Sequence, residues 1–324
     1  MTPSTSKPLV SVVIPCYKQA HLLPESIGSV LEQTYAPVEV VVVDDGSPDG
    51  TKEVALSYPG VRCIRQKNQG LSAARNTGFR GSRGKYIMFL DADDRLTPHA
   101  LEAHLRCFAE HPEAGFVVGD IDHIETDGSY RESPRWPLLE ANFYEEMLRV
   151  NHVANTIAVM FRRSALEQLG DFDISLPAAE DYEMLLRAAR LFPSAHHRTV
   201  VAQYRRYDAS MSKNGVLMLR AMQRVMYGQI PWVKGNARLE AAHRRGRIYW
   251  RERYGAVTIK EMYRLFRRGD LVRATRAFLA LVWHVRERLL LLPWKHRRRV
   301  FELIRSGRNT SRHARGQSRK AYDA

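Results

Sequence analysis

The chain has 324 residues, 44% hydrophobic and 26% charged, which suits a folded catalytic domain with an appendage and excludes a fibrous or wholly disordered protein. Its net charge of +15 is unevenly spread: residues 1–214 hold 23 Lys and Arg against 28 Asp and Glu, a net of −5, whereas residues 215–324 hold 27 against 7, a net of +20. The basic part asks for a polyanionic partner and the acidic part does not.

The opening MTPSTSKPLV has neither a basic segment nor a long apolar one, so no secretion signal is expected. Cys16, Cys63 and Cys107 lack the spacing of a disulfide framework or a zinc site, and a reducing, cytoplasmic setting is the expectation. Short β-branched runs at 9–15, 38–45, 61–66, 85–92 and 114–120 predict strands. Most are apolar without alternation, as in parallel strands covered on both faces. Helical spacing fills the intervals 21–33, 49–58, 70–82 and 98–111, which makes an α/β chain of βαβ units with a ligand site at the carboxyl ends of its strands.

Further along, GDIDHIETDGSYRE reads as a hairpin turning at Asp127-Gly128, followed by helices around 140–150 and 163–190. From about residue 215 strands give way to Arg-rich helical patterns, and 306–324 is expected to be a disordered basic tail. The apolar runs AFLALVWHV and LLLLPW are too short, and too interrupted by Arg286, Glu287 and Arg288, to span a bilayer.

The strand ends carry PCYKQ, DDGSPDG and DADD. Asp91, Asp93 and Asp94 crowd three carboxylates at the end of one apolar run, and they stay ionised together most easily around a shared hard cation. The oxygen-only D-x-D pair, Asp91 and Asp93, suits Mg²⁺ or Mn²⁺. The alternative is an acidic turn in which Asp94 caps the helix starting near Pro98. Asp45, followed by Gly46 and Ser47, either accepts a hydrogen bond from a nucleobase or closes an Asx-turn. Tyr17 either stacks on a base or is a rim aromatic. Glu180 and Asp181 open the helical run YEMLLRAAR, as acids favoured by the helix dipole or as a general base. His196 and His197, at the start of a further strand, read as surface residues rather than ligands.

In order, VSVVIPCYKQAHLLPESIGSVLEQTY, VVVDDGS, NQGLSAARNTG, GKYIMFLDADD and AAEDYEMLLRAAR resemble the successive blocks of the family 2 glycosyltransferases, inverting enzymes with the GT-A nucleotide-diphospho-sugar fold. The resemblance covers roughly residues 9–213. It implies a Rossmann-like mixed, mostly parallel sheet with helices on both faces, as a catalytic domain over 1–214. It also implies that Pro15, Tyr17 and Asp45 hold the nucleobase, and that Ser72, Arg75 and Asn76 lie near ribose and phosphates. Asp91 and Asp93 match the metal-binding pair, Asp93 foremost. Asp181 matches the catalytic base, with Glu180 beside it. Resembling sequences often carry a histidine where this chain has Tyr207.

The expectation is therefore a metal-assisted glycosyltransferase acting from a nucleotide-diphospho-sugar donor on a surface-glycan or lipid-linked acceptor. A nucleotidyltransferase is disfavoured because IPCYKQAH is not a Gly-rich phosphate loop, and an oxidoreductase because no G-x-G-x-x-G follows the first strand. A non-catalytic sugar-nucleotide-binding scaffold anchored by its tail is the rival from another class, and it has no use for a base. The extension 215–305 joins Trp, Phe and Leu to flanking Arg, the composition of a helix lying on an anionic membrane. That partner, at the inner face of the membrane, is preferred to a solvated basic face and to nucleic acid, for which no motif is present.

Overall fold

The computed structural model describes residues 7–131, 133, 135, 142–153, 155–207 and 211–285. Strand β1 Val10–Cys16, helix α1 Leu23–Leu31, β2 Val38–Asp44, α2 Thr51–Leu56, β3 Arg62–Arg65, α3 Leu71–Gly81 and β4 Tyr86–Phe89 alternate through the first third. They are followed by β5 Arg95–Leu96, α4 Ala100–Glu110, β6 Phe116–Ile124, β7 Tyr130–Arg131, α5 Phe143–Arg149, β8 Val159–Arg162, α6 Arg163–Leu169, α7 Glu180–Leu191 and β9 Ser194–Arg205. Beyond these come α8 Gly215–Gly228, α9 Ile230–Val233, α10 Ala237–Arg267 and α11 Leu271–Val285.

One mixed sheet runs in the order β3-β2-β1-β4-β8-β6-β9-β5, with β7 against β6. β1 pairs in parallel with β2 and β4, and β2 with β3. β8 enters antiparallel between β4 and β6. The Val and Ile runs explain the interior strands, because stiff β-branched side chains pack well on a pleated surface. Val12, Val13, Ile14 and Val41 to Val43 are fully buried, each contributing about 1.5–3 kcal/mol over exposure. β3 is the outermost strand, and its Arg62 and Arg65 are exposed accordingly. α3 lies so close that a Cβ on Gly78 would sit 2.2 Å from Val13 Cγ1.

The hairpin expected at Asp127-Gly128 forms as β6 and β7, with Gly128 at φ +83°. The helical stretch expected over 163–190 divides into α6 and α7. Parallel pairing with Cys16 opposite Asp44 and Val13 opposite Phe89 sends the chain out of β1, β2 and β4 at the same edge. That register brings Tyr17, Asp45 and the Asp91–Asp94 turn to one rim.

The chain divides into two compact units, Met1–Ser210 with Val225–Gly246, and Met211–Arg224 with Arg247–Ala324. Inside the second, the Gly215 N–H donates to Glu261 at 2.9 Å, and Trp250 stacks on Tyr254 at 5.8 Å. Among the described residues no helix is long and apolar enough to cross a membrane. The end of the expected basic extension and the tail 306–324 lie outside the described residues.

Candidate functional site

Arg75, on α3, is the centre of the site. Its guanidinium is 1% exposed and forks between two carboxylates, Asp91 Oδ1 and Glu180 Oε1, each at 2.8 Å. Burial works against its charge, but Asp91 and Glu180 outweigh that and raise its pKa. Phe172 lies under the guanidinium at 5.4 Å, and the Arg75 Nε is buried without a hydrogen-bond partner. One side chain thus joins the turn after β4 to the first turn of α7.

The aspartate turn is fixed from behind. The Ser26 hydroxyl lies 2.8 and 2.7 Å from the carbonyl oxygens of Ala92 and Asp94. Arg205, 2% exposed at the end of β9, donates from its backbone to Asp94 Oδ1, from Nε to the Asp93 carbonyl and from Nη2 to Glu25. Asp94 is buried in this framework and caps no helix: the residue before α4 is His99, and its side chain makes no cap either. Burial, with Asp93 and Asp91 nearby, holds the Asp94 carboxyl well above the usual range.

Asp91 and Asp93 face the rim. Asp91 Oδ2 accepts a long bond of 3.3 Å from Asn155. Burial first, and Asp91 second, push the Asp93 pKa up to about 6. Arg205 contacts the Asp93 backbone carbonyl through Nε, and the Tyr207 phenol lies against the Asp93 side chain, where burial and that charge raise its pKa. Tyr207 therefore adjoins the acidic pair at the position where resembling sequences often carry a histidine.

On the opposite side of the rim, Asp44 closes the Asx-turn by accepting from the Ser47 N–H at 2.8 Å. Gly46 takes φ +72° there, and a Cβ on it would meet the Asn68 nitrogen at 2.8 Å. Asp45 instead reaches across to the next loop. It accepts from Gln66 Nε2 and from the Gln69 and Gly70 N–H groups at 2.8–2.9 Å, fixing the entry to α3. Ser72 is buried in the first turn of α3. Asn76 points inward and exchanges two hydrogen bonds with the Phe172 backbone. Pro15 is buried near the end of β1, and Tyr17 stands 42% exposed beyond it.

Glu180 is 8% exposed, and its neighbour Asp181 accepts from the Tyr182 N–H at 2.7 Å. Burial and then the Glu180 charge raise the Asp181 pKa to about 7, against the lowering pull of Arg75. Tyr182 is fully buried and donates to the Met147 carbonyl, which pins α7 to α5. Ala179, just before this pair, is held at φ +61°, and Lys18, next to Tyr17, at φ +58°. Left-handed backbone in residues other than glycine is strain that the surroundings must hold, and it concentrates at functional sites.

His196 and His197 stand apart from this cluster and are half-buried, not surface residues. His197 Nε2 and His104 Nδ1 are 3.1 Å apart, and His196 packs edge-on to Phe143. Burial pushes the His196 and His197 pKa values down to about 4, so both are neutral at pH 7.

Among the described residues no group of three or more His, Cys, Asp or Glu side chains is arranged to hold a metal ion. The chemistry of the donors at the rim nevertheless fits one. Asp91 Oδ2 and the crowded Asp93 carboxylate offer oxygen ligands of the kind Mg²⁺ or Mn²⁺ takes, with water and phosphate completing the shell. Sequence reasoning named Arg75 and both acid pairs, but it missed Arg205, Glu25 and Asn155, which carry no local signature.

The family model described as glycosyl transferase family 2 matches residues 11–170, so Glu180 and Asp181 lie past the end of the match. Glycosyltransferase EpsJ of Bacillus subtilis is 45% identical over 198 residues, 56% of this chain and 56% of its own length. Chondroitin synthase of Escherichia coli is 33% identical over 194 residues, 58% of this chain and 28% of its own, so the chain spans about half or less of these two relatives. A mannosyltransferase from Pyrobaculum calidifontis, solved in complex with GDP-Man and Mn2+, superposes with a TM-score of 0.57 at 20% identity, covering 90% of this chain and 87% of that one. The sheet is thus of the GT-A type, and residues 11–170 match glycosyl transferase family 2.

Proposed function

We propose that residues 1–214 form a catalytic domain that moves a sugar from a nucleoside-diphospho-sugar to a hydroxyl of a saccharide or lipid-linked acceptor, with inversion and with a divalent cation. The observation carrying this reading is the shared arginine: Arg75 ties Asp91 to Glu180, so that the D-x-D turn and the acid pair belong to one cluster at the strand-end rim. The acceptor oxygen forms a bond to the anomeric carbon on the face opposite the leaving group. The bond from that carbon to the phosphate oxygen breaks, and its electron pair departs with the nucleoside diphosphate. The acceptor proton passes to Asp181, whose pKa of about 7 gives it useful basicity near neutral pH. Asp91 and Asp93 would hold Mg²⁺ or Mn²⁺, which offsets charge developing on the departing diphosphate.

Tyr17 offers a ring to the nucleobase above Pro15. Asp45 supports the donor site by fixing Gln69 and Gly70 at the start of α3, where the backbone N–H groups beside Ser72 suit a phosphate. Arg75 and Asn76 act from behind, since both Nη groups of Arg75 and the Asn76 amide are engaged by protein. The Pyrobaculum mannosyltransferase, solved with GDP-Man and Mn2+, supports this class of donor at the level of the fold, and the similarity to chondroitin synthase supports a saccharide acceptor. Residues 215–305 suit a position at the anionic inner surface of a membrane.

A panel of nucleotide sugars, each with and without Mn²⁺, is screened for a rise in melting temperature. The hit is then assayed for release of nucleoside diphosphate. At least one nucleotide sugar should stabilise the protein in a Mn²⁺-dependent way. A panel without effect in either condition would overturn the reading.

A further inference from the structure

α11 is inside out for a water-facing helix. Its small residues Ala274, Ala277 and Ala280, with Leu281, are buried. Leu271, Val272, Phe278, Leu279, Val282 and Trp283 are instead 42–72% exposed. At 100° per residue these six fall on one arc, broken only by the exposed Thr275, with Arg276 and Arg273 along one flank. Solvated helices put charge on that face, and an apolar patch rimmed by charge marks an interaction surface. Leu279, Ala280 and Trp283 also line a shallow cleft of about 370 Å³ together with Arg220 of α8, which sets a cation beside two exposed apolar side chains.

The charge selects the occupant. Residues 215–324 carry a net of +20, so a second copy meets this face with strong like-charge repulsion, whereas an anionic lipid surface is attracted to it. Over its described residues, Leu271–Val285, α11 runs about 22 Å at 1.5 Å per residue, and among the described residues no helix is long and apolar enough to cross a membrane. An apolar arc along one side of a helix, with arginines beside it, suits the interface. We infer that the apolar arc of α11 is a membrane-docking face that inserts Phe278, Leu279, Val282 and Trp283 among anionic phospholipids, with Arg220 beside the headgroup phosphates. This rests on the membrane reading of the basic half given above and adds the contact that carries it.

The test is co-sedimentation of the full chain with phosphatidylcholine vesicles, with or without phosphatidylserine, at about 0.1 M salt, where the Debye length is about 10 Å. The comparison is the double variant Leu279→Gln/Trp283→Gln, which keeps the net charge and removes apolar surface. Both side chains are more than half exposed, so the variant should melt and bind nucleotide as the unsubstituted chain does. It should lose at least about tenfold in affinity for the anionic vesicles. Leu271→Gln/Val272→Gln, at the other end of the arc, gives an independent reading should the first variant melt early. If the full chain binds anionic vesicles and both variants bind equally well, the α11 assignment fails while the membrane reading stands. If the unsubstituted chain does not sediment with anionic vesicles, both fail. A self-associating chain that the substitutions turn monomeric, without vesicle binding, would give the face to a second copy instead.

Discussion

Replacing Arg75 by Met tests the centre of the site, because Met keeps much of the length and removes the charge. Both carboxylates that Arg75 contacts at 2.8 Å would lose their buried partner. Breaking a buried ion pair from one side costs about 3–5 kcal/mol. The Asp91 and Glu180 side chains retain 20% and 10% exposure, which favours the lower end, about 3 kcal/mol at pH 8. The loss must depend on pH. Arg75 lowers the pKa of the buried Asp181, so in the variant Asp181 holds its proton to higher pH, the folded variant binds more protons than the unfolded chain, and its stability falls as pH rises. Urea unfolding of both proteins at pH 5.5 and pH 8 should show a deficit that is much smaller in acid. Donor hydrolysis followed against pH gives a second readout. Arg75 lowers the Asp181 pKa, so the rising limb of the variant's profile should move above its position near 7. A deficit equal at both pH values, with an unmoved profile, would mean that Arg75 contributes packing alone.

Asp93→Ala should abolish Mn²⁺-dependent binding of a nucleoside diphosphate while leaving the melting curve intact, as calorimetric titration would show; unchanged affinity would refute the metal assignment. Asp181→Asn should keep donor affinity and lose turnover by a factor of about 10² to 10⁴, and in the unsubstituted enzyme turnover should rise with pH through about 7 as Asp181 deprotonates. His196 and His197 have folded pKa values near 4, below the unfolded 6.5, so the unfolded chain binds more protons between these values and stability declines as pH falls through that window. His196→Phe, retaining the ring contact with Phe143, should make that decline shallower in urea titrations at pH 4.5 and 7; an unaltered slope would assign it to other groups.

The front of the fold was readable because each strand there carries its own signal. VSVVIPC and VEVVVVD are rich in β-branched residues, flanked by helices with clear amphipathic spacing, and they became β1 and β2 within a residue of the expected ends. β8 had no such signal. Its four residues, VMFR, run directly into α6 and join the sheet through pairing with β4 and β6, which are distant in sequence. The split of 163–190 into α6 and α7 turns on Gly170 at φ +80° and on the segment to Ala179, where Asn76 holds the Phe172 backbone from a helix far upstream.

The site divides along the same line. Charge crowding at a strand end is a local pattern, so Asp91, Asp93 and Asp45 could be singled out from their neighbours alone. What each carboxylate does depends on partners that the register delivers. Asp94 resembled a helix cap, yet it receives the Arg205 N–H from β9, and Asp45 turned from the Asx-turn to the Gln66–Gly70 loop. Arg205 shows why such partners escape a local reading. Within YRRY it is one of two adjacent arginines, and its 2% exposure, with bonds to Asp93, Asp94 and Glu25, follows from β9 lying between β6 and β5. A cation buried behind an acidic turn keeps that turn in place when no metal is bound, while leaving the Asp91 and Asp93 carboxylates directed to the rim. The acidic cluster therefore has two neutralising groups of its own, Arg75 between Asp91 and Glu180 and Arg205 beneath the turn, while Asp93 lies at the rim, where burial first and Asp91 second raise its pKa to about 6.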